Sequence, residues 1–107
     1  MHAVRLASGV WVGNVHAQAH EIAWAQADLN ESAATLLRWS SGASAVLGGD
    51  LNLRKPVVPG FTSAGGHVLD HVFVRGLEVV ARARKLERGG LSDHVPVVAD
   101  LNAGPAG

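Results

Sequence analysis

Hydrophobic positions along this chain change period several times, and each change predicts an element. Val4-Arg5-Leu6 and Val10-Trp11-Val12, on either side of Ala7-Ser8-Gly9, read as a hairpin. Residues 10–15 are β-branched and aromatic with little alternation, which predicts a strand buried on both faces, with His16 where it ends. From 19 to 40 no Gly or Pro interrupts the chain, and apolar residues recur at Ile22, Ala23, Ala33, Leu36, Leu37 and Trp39. That spacing predicts one long amphipathic helix, stopped by Ser40-Ser41-Gly42.

Ala45-Val46-Leu47 is a short apolar run that ends in Gly48-Gly49-Asp50, the form of a central strand presenting polar residues at its carboxyl end. Residues 55–66 hold Pro56, Pro59, Gly60, Gly65 and Gly66 and read as a loop. Two strands are expected at 68–74 and 77–83, joined at Arg75-Gly76, and a last strand at 95–101 behind a loop over 87–94. Residues 1–102 then form the domain and 103–107 a disordered tail. Strand, helix, strand and a strand-rich second half specify an α/β fold: a mixed sheet with one long helix packed on it.

Composition narrows the partners. The chain has 107 residues, enough for one domain, and its 48% hydrophobic content with 17% charged residues describes a globular chain. Nine basic residues balance nine acidic ones, so no positive field draws it to nucleic acid, although nucleic acid stays open as a substrate. Without cysteine there is neither a disulfide nor a thiolate zinc site, and metal ligands are confined to oxygen and imidazole. No stretch approaches the roughly 18 apolar residues of a membrane span, and the start lacks a signal-peptide pattern. The expectation is a soluble, cytoplasmic protein.

Four segments place polar side chains where strands give way to loops: Asn14-Val15-His16, Gly49-Asp50-Leu51-Asn52, Leu69-Asp70-His71 and Ser92-Asp93-His94-Val95-Pro96-Val97. Strand ends are where layered α/β folds build sites, because rigid elements hold the side chains and loops leave room for substrate. Hard carboxylate oxygens for Mg²⁺, an imidazole for a phosphate oxygen and a carboxylate to orient water together suit metal-assisted hydrolysis.

These segments, in this order, resemble the Asn-Thr-His, Gly-Asp-Phe-Asn, Ile-Asp-Tyr-Ile-Phe and Ser-Asp-His-x-Pro-Val motifs of the endonuclease/exonuclease/phosphatase superfamily. Leu51 stands for phenylalanine and His71 for tyrosine. The resemblance implies the carboxyl-terminal half of a DNase I-like four-layer α/β sandwich and Mg²⁺-dependent (or Mn²⁺-dependent) hydrolysis of a phosphate ester. It implies that His94 takes a proton from water or contacts the scissile phosphate, with Asp70 behind it fixing its tautomer. Asp50 would orient the nucleophile, Asn52 hold a phosphate oxygen or a metal-bound water, Asp93 ligate the metal and His16 stabilise charge on phosphorus.

The family's asparagine and metal-anchoring glutamate lie upstream of the segment resembling Asn-Thr-His, and none of Glu21, Glu31, Glu78 or Glu87 takes their place. The chain is therefore expected to be a fragment whose uncovered sheet leads either to self-association or to poor solubility. The alternatives to a truncated hydrolase are a phosphate-binding or interaction remnant without activity, and a structural domain that pairs with another chain.

Blander readings stand beside these. Asp-Leu-Asn after glycines is a common turn. His16 and His20 could share a helical face as metal ligands, though His16 precedes the expected helix. His67 and His71 read as loop and rim residues, Arg54 and Lys55 as a solvated pair or phosphate contacts, and Trp24 and Trp39 as core.

Overall fold

The structure, a computed structural model, describes residues 1–17, 21–85 and 97–102. Among the described residues, seven strands and one helix follow the order β1 (His2–Arg5), β2 (Trp11–His16), α1 (Ile22–Ser40), β3 (Ala45–Asp50), β4 (Thr62–His67), β5 (Asp70–Arg75), β6 (Glu78–Lys85) and β7 (Val97–Asn102). The strands form one mixed sheet in the order β1-β2-β3-β5-β4-β6-β7. The expected α/β class and mixed sheet with a single helix describe the protein.

The first hairpin is as expected: β1 and β2 are antiparallel with Val4 opposite Val12. α1 then crosses over to bring β3 parallel to β2, and β5 adds antiparallel to β3. The central position of β3 follows from its composition, since Ala45 and Leu47 are fully buried.

α1 packs on one face of β2 and β3. Its buried residues are Ala25, Leu29, Ala33, Leu36 and Ser40, a stripe at i, i+4, i+8, i+11 and i+15. Leu29 and Leu36 meet Leu47, Leu51 and Phe73 in one core. The helix approaches the sheet at Gly13, where a Cβ would stand 3.1 Å from the Leu36 side chain, so the glycine sets how deeply Leu36 seats. The helix ends as expected: Ser41 takes a left-handed conformation (φ 48°) and its N–H donates to the Leu37 carbonyl at 3.1 Å.

Several expectations are corrected. The helical stripe was placed partly on the wrong face: Ile22 is 77% exposed, and Ala23, Trp24 and Trp39 also face outward. Small alanines and two leucines bury themselves because the helix sits close to a glycine-bearing sheet, whereas an indole would not fit there. Glu21 lies before the helix with extended backbone rather than inside it.

β2 is buried on one face rather than two. Gly13 and Val15 are covered while Asn14 and His16 are exposed, because α1 covers only one side. On the other side Val4, Val12, Val46 and Val74 are registered partners across β1, β2, β3 and β5, with Val4 58% exposed and Val74 buried.

The segment read as a loop over 55–66 contains most of β4. Thr62-Ser63-Ala64-Gly65-Gly66-His67 has no strand propensity, and its pairing with β5 creates it. Consequently β5 begins at Asp70, since Val68 and Leu69 form the turn, Val68 with φ 54°. β5 and β6 are not partners, because β4 lies between them. The expected loop over 87–94 and the tail over 103–107 lie outside the described residues, as do residues 19 and 20 of the expected helix.

Candidate active site at the ends of the central strands

Strand register decides which polar side chains meet. His16 ends β2 and pairs with Asp50, which ends β3; Asp50 pairs with Asp70, which begins β5; Asp70 pairs with His67, which ends β4. Registered partners point to the same side of a sheet. Four neighbouring strands therefore deliver His16, Asp50, Asp70 and His67 as one row. At about 4.8 Å between strands, the row from His16 to Asp70 spans roughly 10 Å, room for a phosphoryl group and an attacking water.

The Asp50 carboxylate is divided between two tasks. Its Oδ1 accepts a hydrogen bond from the Asn52 backbone N–H at 3.0 Å, while its Oδ2 lies 3.7 Å from Nε2 of His16. The first contact is the Asp-x-Asn turn expected from composition alone. It does not compete with a site, because it fixes the carboxylate's orientation and leaves Oδ2 facing the row. The Asp50 side chain is 17% exposed and that of His16 76%, so the carboxylate is held and the imidazole is open to solvent.

Asn52 sits just past the row with φ 52°, a left-handed conformation asparagine tolerates. Its Nδ2 donates to the Ala17 carbonyl at 2.7 Å, and the Ala17 N–H donates to the Asp50 carbonyl at 3.0 Å. The loops after β2 and β3 are thereby laced together behind His16 and Asp50. One N–H of the Asn52 amide is committed to this lacing, and its second N–H and Oδ1 remain as groups that a ligand oxygen or water could use.

Two histidines read as rim residues from sequence have placed roles. His67 joins the row. The signal was available: His67 and Asp70 flank a two-residue hairpin turn, and such flanking residues are cross-strand partners. His71 lies on β5 with its Nε2 2.6 Å from the Leu53 carbonyl, a bond in which the ring donates. It anchors the segment that follows Asn52 to the sheet.

Asp93, His94 and His20 lie outside the described residues, so the row contains three of the six expected site residues, His16, Asp50 and Asp70, with Asn52 beside it. Arg54 and Lys55 are exposed beyond Leu53. Glu21, Glu31 and Glu78 are exposed and lie outside the registered row.

Mg²⁺ takes hard oxygen donors, and Asp50 and Asp70 supply carboxylates of that kind in one row. Among the described residues no group of three or more His, Asp or Glu comes together closely enough to hold an ion. The donor set fits a divalent ion in kind, and the expected ligand, Asp93, belongs to the undescribed segment.

Residues 3–94 match the endonuclease/exonuclease/phosphatase family, and the chain belongs to that family. The fold is also similar to that of a functionally unknown conserved protein from Enterococcus faecalis V583, with a TM-score of 0.68 at 18% sequence identity. That similarity covers 86% of this chain and 49% of the other, so the chain spans about half the length of the solved structure it matches. No curated protein matches the sequence. Among the described residues no helix is long and apolar enough to cross a membrane.

Proposed function

We propose that this chain carries acid–base and phosphate-orienting residues of a phosphoric ester hydrolase. The observation that supports this reading best is the registered row His16, Asp50 and Asp70 on β2, β3 and β5. Hydrolysis forms a bond from water oxygen to phosphorus and breaks the ester bond, with one proton leaving the water and one reaching the departing alkoxide. Its barrier is lowered mainly by in-line positioning and by neutralising charge on the phosphoryl oxygens.

In this reading Asp50 orients the attacking water with Oδ2, the oxygen its turn leaves available. His16, open to solvent at the end of β2, donates a hydrogen bond to a phosphoryl oxygen, and Asn52 offers its second amide N–H to another. Asp70 orients His94, which moves the proton. A divalent ion, Mg²⁺ or Mn²⁺, held by Asp93 would supply further charge neutralisation at the phosphoryl oxygens. The substrate is a phosphodiester or phosphomonoester, which includes nucleic acid.

The test is hydrolysis of bis-para-nitrophenyl phosphate by the full-length product of the gene, with Mg²⁺, with Mn²⁺ and with excess EDTA. Turnover that needs the ion and falls at least about a hundredfold in His94→Ala supports the proposal. Inertness on this diester and on phosphomonoesters would overturn it and leave phosphate binding or a structural role.

A further inference from the structure

Beside the row lies a cavity of about 500 Å³ lined by Ile22, Asn52, Leu53, Arg54, Lys55 and Leu69. We infer that this cavity receives the organic group of the ester, and that the group is apolar: an aryl or alkyl moiety rather than a sugar. The inference rests on the reading of the Asp50 row as the phosphate site and specifies its substrate class.

Three observations carry it. The first is adjacency. Asn52 belongs to both features, since its backbone N–H is bonded to Asp50 while its residue lines the cavity. Leu69 immediately precedes Asp70, and its carbonyl accepts the Leu51 N–H at 2.9 Å, so that wall is fixed to the row by the strand pairing itself. A group in the cavity lies against Asn52 and Leu69, which flank Asp50 and Asp70 in the chain, and an ester held at the row would extend its organic half there.

The second is the chemistry of the walls. Leu53, Leu69 and Ile22 supply aliphatic surface, and Asn52 supplies an amide of which one N–H is committed to the Ala17 carbonyl. Sugar hydroxyls set against the aliphatic part of the wall would lose water without gaining partners, which is costly. Apolar surface would lose water and gain contacts. Ile22 reinforces the point, because it is 77% exposed at the mouth, a large aliphatic side chain kept in water where a ligand could cover it.

The third is charge. Arg54 and Lys55 stand at the cavity in a chain whose formal net charge is zero, and among the described residues no acidic side chain lines it. An apolar group attached to an anion matches that combination, with the cations directed at phosphate oxygens. The volume lies within the range of small-molecule sites and exceeds what a single methyl ester would fill.

Equilibrium binding to the chain tests this without requiring turnover. The probes are inorganic phosphate, methyl phosphate, phenyl phosphate, 1-naphthyl phosphate and ribose 5-phosphate, followed by chemical-shift titration. The naphthyl ester is expected to bind at least about tenfold more tightly than the methyl ester, since burying roughly 55 Å² of ring surface suffices for that factor. Ribose 5-phosphate should gain nothing over methyl phosphate. Leu69→Ser and Ile22→Ser should remove the naphthyl gain while leaving methyl phosphate binding unchanged; Ile22 is exposed, so its variant will fold. Arg54→Gln should weaken every phosphate probe.

Equal affinity for the naphthyl and methyl esters, or a gain that survives both apolar-wall variants, overturns the inference while inorganic phosphate binding leaves the Asp50 site standing. Failure of inorganic phosphate itself to bind removes the site and the inference together.

Discussion

The Asn52 amide spans two loops, donating to the Ala17 carbonyl at 2.7 Å while its own backbone holds φ at 52°. The residue serves conformation and bonding at once, and the two can be separated. Asn52→Gly keeps the left-handed backbone accessible and loses the side-chain bond, for an expected cost of about 1 kcal/mol. Asn52→Ala loses the bond and adds left-handed strain, for about 2–3 kcal/mol. Urea denaturation of the three proteins should give that order. Equal costs would show that the bond to Ala17 carries the whole effect.

Gly49 lies between Gly48 and the site carboxylate with φ 132°. A Cβ there would collide with the Val15 carbonyl oxygen and stand 2.6 Å from Oδ1 of Asn14. Backbone strain and collision act together, so Gly49→Ala should destabilise the fold by about 3 kcal/mol or more. It should also separate β2 from β3 where His16 meets Asp50. A thermal melt close to that of the unsubstituted protein would contradict this geometry.

The two faces of α1 should respond differently to substitution. Leu36 is fully buried against the sheet, and Leu36→Ala is expected to cost about 3 kcal/mol. Trp24 is 52% exposed on the outer face, and Trp24→Gln should change stability by less than about 0.5 kcal/mol. Denaturant midpoints for the two variants check the assignment. A large loss for Trp24→Gln would mean that the outer face is covered.

Much of the α/β order was legible because β2, α1 and β3 are apolar segments of the right length bounded by polar and glycine residues, although the burial expected for β2 and for part of α1 was not. β4 was not. Its residues are small and polar, and pairing with β5, from Thr62 opposite Val74 to His67 opposite Asp70, makes them a strand. Missing β4 also hid His67, since a histidine in a supposed loop has no registered partner. The outward turn of Trp24 and Trp39 was misread because large apolar residues suggest core, whereas the close approach of α1 at Gly13 admits only alanine and leucine. The residues of the row were legible as motifs in order. What the sequence could not convey was their register: that His16, Asp50 and Asp70 share one row, and that Asp50 keeps one oxygen for its turn and presents the other.

That division of Asp50 allows a direct test of the row as the reactive site. Asp50→Asn preserves an oxygen to accept the Asn52 N–H, so the turn and the fold should survive, while the second carboxylate oxygen becomes an amide. Hydrolysis of bis-para-nitrophenyl phosphate by the full-length gene product is the measurement, with the thermal melt as control. The expected result is an unchanged melt and at least about a hundredfold loss of kcat. A variant that keeps its fold and hydrolyses the ester within twofold of the unsubstituted rate would contradict the placement of catalysis at Asp50.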